Sequence, residues 1–273
     1  MATELPEWQQ SDFAAGGISH VVYRKGTGPG VVLMHELPGL TPTCIRLGKW
    51  LVDAKYCVFM PLFFGRANEH AIAPVSVARI CIQREIWLFS SGRTSPIVDW
   101  LRALCRHVKQ ECGGDGVGVV GMCLSGNFAI TLLAEETVLA PVACQPSLPS
   151  FRSARALAMS PADLAAVKAR AVSANVPLIA FRFQCDWMCR AGKFARLAEE
   201  LPNHFKPTTL PGNGHSVLTD DFIKGGEPAR KALRQVLEFL DTRLHGGLKS
   251  GAAPLTGSAT GSIPPPKDPA DRL

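Results

Sequence analysis

The chemistry in this chain is concentrated at Gly121-Met122-Cys123-Leu124-Ser125-Gly126, which follows an apolar run and opens a helical pattern. A nucleophile on a sharp strand-to-helix turn has a strained backbone, so the residues two before and two after it must be small. Gly121 and Ser125 meet that need around Cys123, and a helix N-terminus favours a thiolate through its free N–H groups and dipole. Ser125 is the rival nucleophile, with Cys123 and Asn127 as its less suitable flanks. The structural alternative is a buried cysteine beside a glycine turn.

A thiol nucleophile needs a base, and the base needs an orienting acid. Among seven histidines, His215 stands out because it lies in Pro211-Gly212-Asn213-Gly214-His215-Ser216, a loop that glycines must shape. His107 and His245 read as solvated surface, and His20, His70 and His204 lack a supporting context. Asp186 follows the apolar run Val176–Phe183 closely and completes the order nucleophile, acid, histidine. Asp220 and Asp221 lie too near His215 in sequence for that order and read as a cap or a solvated turn. The segment His35-Glu36-Leu37-Pro38-Gly39 ends another apolar run. It lacks the second histidine of a zinc peptidase, and Glu36 is either a carboxylate beside the thiol or a solvated charge.

The elements that must position these residues alternate in type. Strands are expected at about 20–24, 30–35, 56–60, 116–121, 140–144, 176–183 and 207–210, several of them continuous apolar runs of the kind buried on both faces. Helices are expected at 96–112, where Ile97, Leu101, Leu104 and Val108 share a face, and at 228–244, with a third from Asn127 to Glu136. Thr41-Pro42, Ser95-Pro96 and Ser160-Pro161 each pair a capping residue with proline at the first helical position. This alternation predicts an α/β fold, a doubly wound, mostly parallel sheet with helices on both faces. Residues 1–19 are expected to be an irregular arm and 20–245 a single domain. Residues 246–273, with five Gly, five Pro and three Ser, are expected to be a disordered tail.

Composition narrows the function class. Of 273 residues, 47% are hydrophobic and 19% charged, enough for a large core. No run approaches the ~18–20 apolar residues of a membrane span, and no basic-then-apolar leader opens the sequence, so a cytoplasmic location is expected. A net charge of +6 without a basic block or a known nucleic-acid signature argues against nucleic-acid binding. Nine cysteines are expected as reduced, mostly core thiols. Cys185 and Cys189 lack the second pair a zinc site needs, so neither a metal nor another cofactor is expected.

Taken together, these motifs resemble the dienelactone hydrolase (carboxymethylenebutenolidase) family over most of residues 30–244. The resemblance implies an α/β-hydrolase fold and a cysteine-dependent ester or lactone hydrolase with a thioester intermediate. It implies a triad of Cys123, Asp186 and His215, and Glu36 against the resting cysteine. In such a fold the backbone N–H groups of Leu37 and Leu124 form the oxyanion hole. Family elbows often read Gly-x-Cys-x-Gly-Gly, and Ser125 takes the fifth position here. Members acting on the diene lactone hold its carboxylate with arginines, one shortly after the histidine, where this chain has Ser216-Val217-Leu218-Thr219. An anionic small-molecule substrate would then be met from Gly65–Arg93, which carries Arg66, Arg79, Arg84 and Arg93; Arg84 is the candidate. Acyl transfer, thiol redox chemistry of Cys123 with Cys185 or Cys189, and ligand binding without catalysis are the competing classes.

Overall fold

The computed structural model describes residues 5–69, 95–147 and 154–245. Arg84, the expected anion contact, and the segment 246–273 lie outside the described residues.

Among the described residues, eight strands form one sheet in the order β1-β2-β4-β3-β5-β6-β7-β8. They are β1 (Gln9–Ala15), β2 (Ile18–Lys25), β3 (Gly30–Met34), β4 (Cys57–Pro61), β5 (Val117–Met122), β6 (Val138–Cys144), β7 (Leu178–Phe183) and β8 (Phe205–Leu210). The pairings β1–β2 and β2–β4 are antiparallel. From β4 across to β8 every pairing is parallel. The helices are α1 (Pro42–Asp53), α2 (Pro96–Cys112), α3 (Leu124–Leu132), α4 (Pro161–Ser173), α5 (Ala191–Glu200) and α6 (Gly226–Leu244).

Strand alternation divides the core into two layers. Val31, Leu33, Val58, Met60, Val120 and Met122 pack under α1 and α6. Val32, Met34, Phe59, Val117 and Val119 pack under α2, α3, α4 and α5. The α2 stripe of Ile97, Leu101, Leu104 and Val108 is buried as its spacing predicts. Thr41 and Ser160 cap their helices, accepting from the N–H groups of Cys44 and Asp163. α3 is buried all round, because it descends from β5 into the centre of the molecule.

One expectation needs correcting. Within the stretch expected to be an irregular arm, Gln9–Ala15 forms β1, and Gly16 and Gly17, with φ 59° and 80°, turn the chain into β2. β1 is an edge strand whose side chains are largely exposed, so it lacks the apolar run by which the inner strands announce themselves.

Candidate active site

The turn between β5 and α3 is as tight as its sequence requires. Cys123 holds φ 54° and ψ −117° at the N-cap of α3, a conformation that costs a residue with a side chain roughly 1–3 kcal/mol. A Cβ on Gly121 would lie 2.2 Å from the Ser125 carbonyl oxygen, and one on Gly126 would lie 2.9 Å from that of Cys144. The close approaches therefore fall on Gly121 and Gly126, which leaves the Ser125 position open to a small side chain. Ser125 does not face the same space as Cys123. Its Oγ lies 2.8 Å from the Met34 carbonyl and 2.9 Å from the Met122 N–H, tying β3 to β5.

Three loops at the carboxyl ends of the strands converge on Cys123. His215, after β8, sets Nδ1 at 2.8 Å from Asp186 Oδ2. Asp186, after β7, is fixed by the backbone N–H groups of Met188 and Cys189, each 2.9 Å from Oδ1. Ser147, after β6, places Oγ 3.0 Å from Cys123 Sγ and 3.5 Å from His215 Nε2. Burial works against a charged His215 ring, but hydrogen bonds and charges at Asp186 and Cys123 outweigh it and raise its pKa to about 10. Asp221 Oδ2 accepts from the N–H groups of His215 and Ser216 at 2.8 and 3.1 Å, so this acid shapes the histidine loop instead of serving the ring.

Glu36 lies in the same region on other partners. Its carboxylate accepts from Ser216 Oγ at 2.8 Å, from Gln145 Nε2 at 3.2 Å and from Thr219 Oγ1. Burial raises its pKa, and the bonds from Thr219 and Ser216 act against that rise. No hydrogen bond joins Glu36 to Cys123, whose thiol contacts Ser147. The carboxylate's hydrogen bonds come instead from Ser216, Gln145 and Thr219. The turn beside it is set by His35, whose buried ring donates from Nδ1 to the Glu36 carbonyl at 2.9 Å and accepts the Phe63 N–H at Nε2, 3.0 Å away. Burial lowers the His35 pKa to about 4, so the ring is neutral at physiological pH. The backbone N–H groups of Leu37 and Leu124 have no backbone acceptor among the described residues.

Behind the turn sits a polar chain that the sequence reading missed. Asn127 Nδ2 donates to the carbonyls of Ser147 and Leu124 at 2.8 and 3.1 Å, and its Oδ1 receives the Lys193 ammonium at 2.7 Å. Gln145 was missed as well, although it joins Glu36 to the Val217 N–H. Its signal was available, because Gln145-Pro146-Ser147 follows β6 as His35 and Asp186 follow their strands. Cys185 is exposed, whereas Cys189 is buried and its pKa is pushed up to about 12. No group of three or more His, Cys, Asp and Glu among the described residues is placed to hold a metal ion. No helix among them is long and apolar enough to cross a membrane.

A mostly parallel sheet wrapped by helices, with a strained elbow after its fifth strand, defines an α/β hydrolase. The sequence matches the model of the dienelactone hydrolase family over residues 19–244, and the chain belongs to that family, as a hydrolase of esters and lactones. Solved structures agree on the fold. A Klebsiella pneumoniae protein described as a dienelactone hydrolase shares 15% identity at a TM-score of 0.64, covering 85% of this chain and 97% of its own. The α/β hydrolase GrgF from Penicillium sp. sh18 shares 13% at a TM-score of 0.62, covering 87% and 99%. The dienelactone hydrolase-like promiscuous phosphotriesterase P91 from metagenomic libraries shares 14% at 0.58, covering 85% and 98%. No curated protein matches the sequence.

Proposed function

We propose that the chain hydrolyses a small ester or lactone by nucleophilic catalysis at Cys123, through a thioester. The observation that carries this reading is the convergence of Cys123 Sγ, Ser147 Oγ, His215 Nε2 and Asp186 on one point above the elbow. His215, oriented by Asp186, takes the thiol proton, directly or by way of the Ser147 hydroxyl. The sulfur attacks the carbonyl carbon, and the N–H groups of Leu37 and Leu124 receive the oxyanion; one such donor is worth about 10²–10³ in rate. Collapse breaks the C–O bond, and His215 returns its proton to the departing oxygen. In the second half His215 removes a proton from water, the hydroxide attacks the thioester, and the carboxylic acid leaves as the thiol re-forms.

Glu36 takes a positioning role in this reading. It gathers Ser216, Thr219 and Gln145 beneath the histidine loop and the Leu37 turn. An anionic substrate held by Arg84 belongs to the same proposal. So does a cytoplasmic location, which suits the free thiols of all eight described cysteines.

The test is hydrolysis of a panel of activated esters and unsaturated lactones by wild type and Cys123→Ala, with intact-protein mass spectrometry of the quenched reaction. Turnover and an acyl adduct, both lost in the variant, support the proposal, and equal activity in Cys123→Ala sinks it. An adduct without turnover on any of the substrates favours acyl transfer.

A further inference from the structure

A second pair of thiols lies far from the elbow, at the amino end of the parallel strands. Cys57 opens β4, and Cys112 closes α2. Gly30 opens β3 and is the direct neighbour of Cys57 in the sheet. Since Gly30 has no side chain, the end of α2 settles over that spot: a Cβ there would lie 2.3 Å from Val108 Cγ1 and 3.3 Å from Cys112 Sγ. Paired residues of parallel strands project to the same face, so the vacancy at Gly30 brings the Cys112 sulfur down beside Cys57. Both sulfurs thus lie on the same face of the sheet, at neighbouring positions of β3 and β4.

The surroundings are those of a reactive sulfur. Arg24 Nε lies 3.5 Å from Cys57 Sγ and 3.5 Å from Glu111 Oε2. Cys57 is buried, but Cys112 is partly exposed. A groove of about 280 Å³ has Arg24, Phe59, His107 and Glu111 among its lining residues, so it reaches the Arg24 side chain that contacts Cys57. Three other buried thiols, Cys44, Cys105 and Cys144, are each raised chiefly by desolvation. Cys57 differs: the neighbouring Cys112 thiol, and after it Arg24, lower its pKa against the cost of burial, while Cys112 is raised in turn.

We propose that Cys57 and Cys112 form a peroxide-reactive dithiol that closes to a reversible disulfide, stapling the end of α2 to the sheet. A hydroperoxide entering past the partly exposed Cys112 meets the thiolate on Cys57, beside Arg24. The thiolate's electron pair attacks one peroxide oxygen, the O–O bond breaks, and Cys57 becomes a sulfenic acid with release of hydroxide (or alkoxide), which takes up the proton that the Cys57 thiol gave up. The Cys112 sulfur then attacks the sulfenic sulfur, the S–O bond breaks and water leaves with the Cys112 proton. Two thiols lose two electrons and two protons together, and hydrogen peroxide becomes two waters. Nothing in this step uses Cys123.

The experiment treats the full chain with hydrogen peroxide, blocks remaining thiols with N-ethylmaleimide, digests it and identifies linked peptides by mass spectrometry. The expected product joins the Cys57 and Cys112 peptides, has lost about 2 Da, disappears with dithiothreitol and is absent from Cys112→Ser. Arg24→Gln, a change at a partly exposed side chain, slows its formation roughly tenfold by removing the cation beside the thiolate. The proposal is overturned if both cysteines still take N-ethylmaleimide after Cys123 has oxidised, or if Cys57 ends as a sulfinic acid or is bonded to another cysteine. Circular dichroism of each variant confirms that a lost link is not lost folding. Because the readout is a peptide and not turnover, its outcome is independent of the hydrolase reading.

Discussion

The Lys193 ammonium is buried and donates to Asn127 Oδ1 at 2.7 Å, and that same amide holds the Ser147 carbonyl at 2.8 Å. A charge on α5 is thereby coupled to the loop that carries the hydroxyl between thiol and imidazole. Burial lowers the Lys193 pKa to about 8, partly restored by the nearby Cys189 and Cys123.

A lysine whose folded pKa lies below its unfolded one binds fewer protons when folded. Its charge therefore costs stability below about pH 8, and the cost fades as pH climbs towards 10.5. Wild type should gain about 2–3 kcal/mol on Lys193→Met between pH 7 and pH 10.5. Urea titrations at three pH values measure it, and a difference independent of pH would show that the ammonium is not desolvated.

For His215 the sign is reversed. A folded pKa raised to about 10 stabilises the native state fully below about pH 6.5, and the benefit is lost as pH rises through 10. Wild type should exceed His215→Gln by about 2 kcal/mol or more at pH 6 and lose that advantage by pH 10. An advantage that grows with pH would mean that the ring is held neutral.

Ser147→Ala removes the hydroxyl 3.0 Å from Cys123 Sγ while leaving the Asn127 bond to the backbone carbonyl in place. Alkylation of Cys123 by iodoacetamide and ester hydrolysis should each fall roughly tenfold, the worth of one buried hydrogen bond. Unchanged rates in both assays would make Ser147 a spectator.

Glu36→Gln replaces a carboxylate bonded to Ser216, Thr219 and Gln145 with an amide that fits the same hydroxyls. Iodoacetamide should label Cys123 at a rate within about twofold of wild type, since one neutral swap without a shared bond moves little free energy. A raised carboxylate pKa contributes stability at low pH that is lost as pH rises above 4.5, so the variant should gain on wild type from pH 4 to pH 7. A several-fold change in labelling would restore the glutamate–thiol lock that the resemblance implies.

The sequence was most informative where a local pattern carries its own physics. The inner strands are apolar runs, α2 is an apolar stripe, and the elbow betrays itself because Gly121 cannot carry a Cβ. It was least informative where polar residues meet only after folding. Nothing in the spacing of Glu36 and Thr219 tells that one accepts from the other, and Lys193 on α5 looks like any solvated helix charge. β1 escaped notice because an edge strand need not be apolar. The same limit hid the Cys57–Cys112 contact, which depends on a side chain that Gly30 does not have.

The order of the sheet also bears on how the chain acquires reactivity. Cys123 leaves β5, but Asp186 and His215 leave β7 and β8, the last strands in sequence and the outermost on that side. On the proposed reading, a chain complete only as far as α4 would carry Cys123 without the residues that act on it. Reactivity at the elbow would then wait on β7 and β8, whose parallel pairings bring the Asp186 and His215 loops to it.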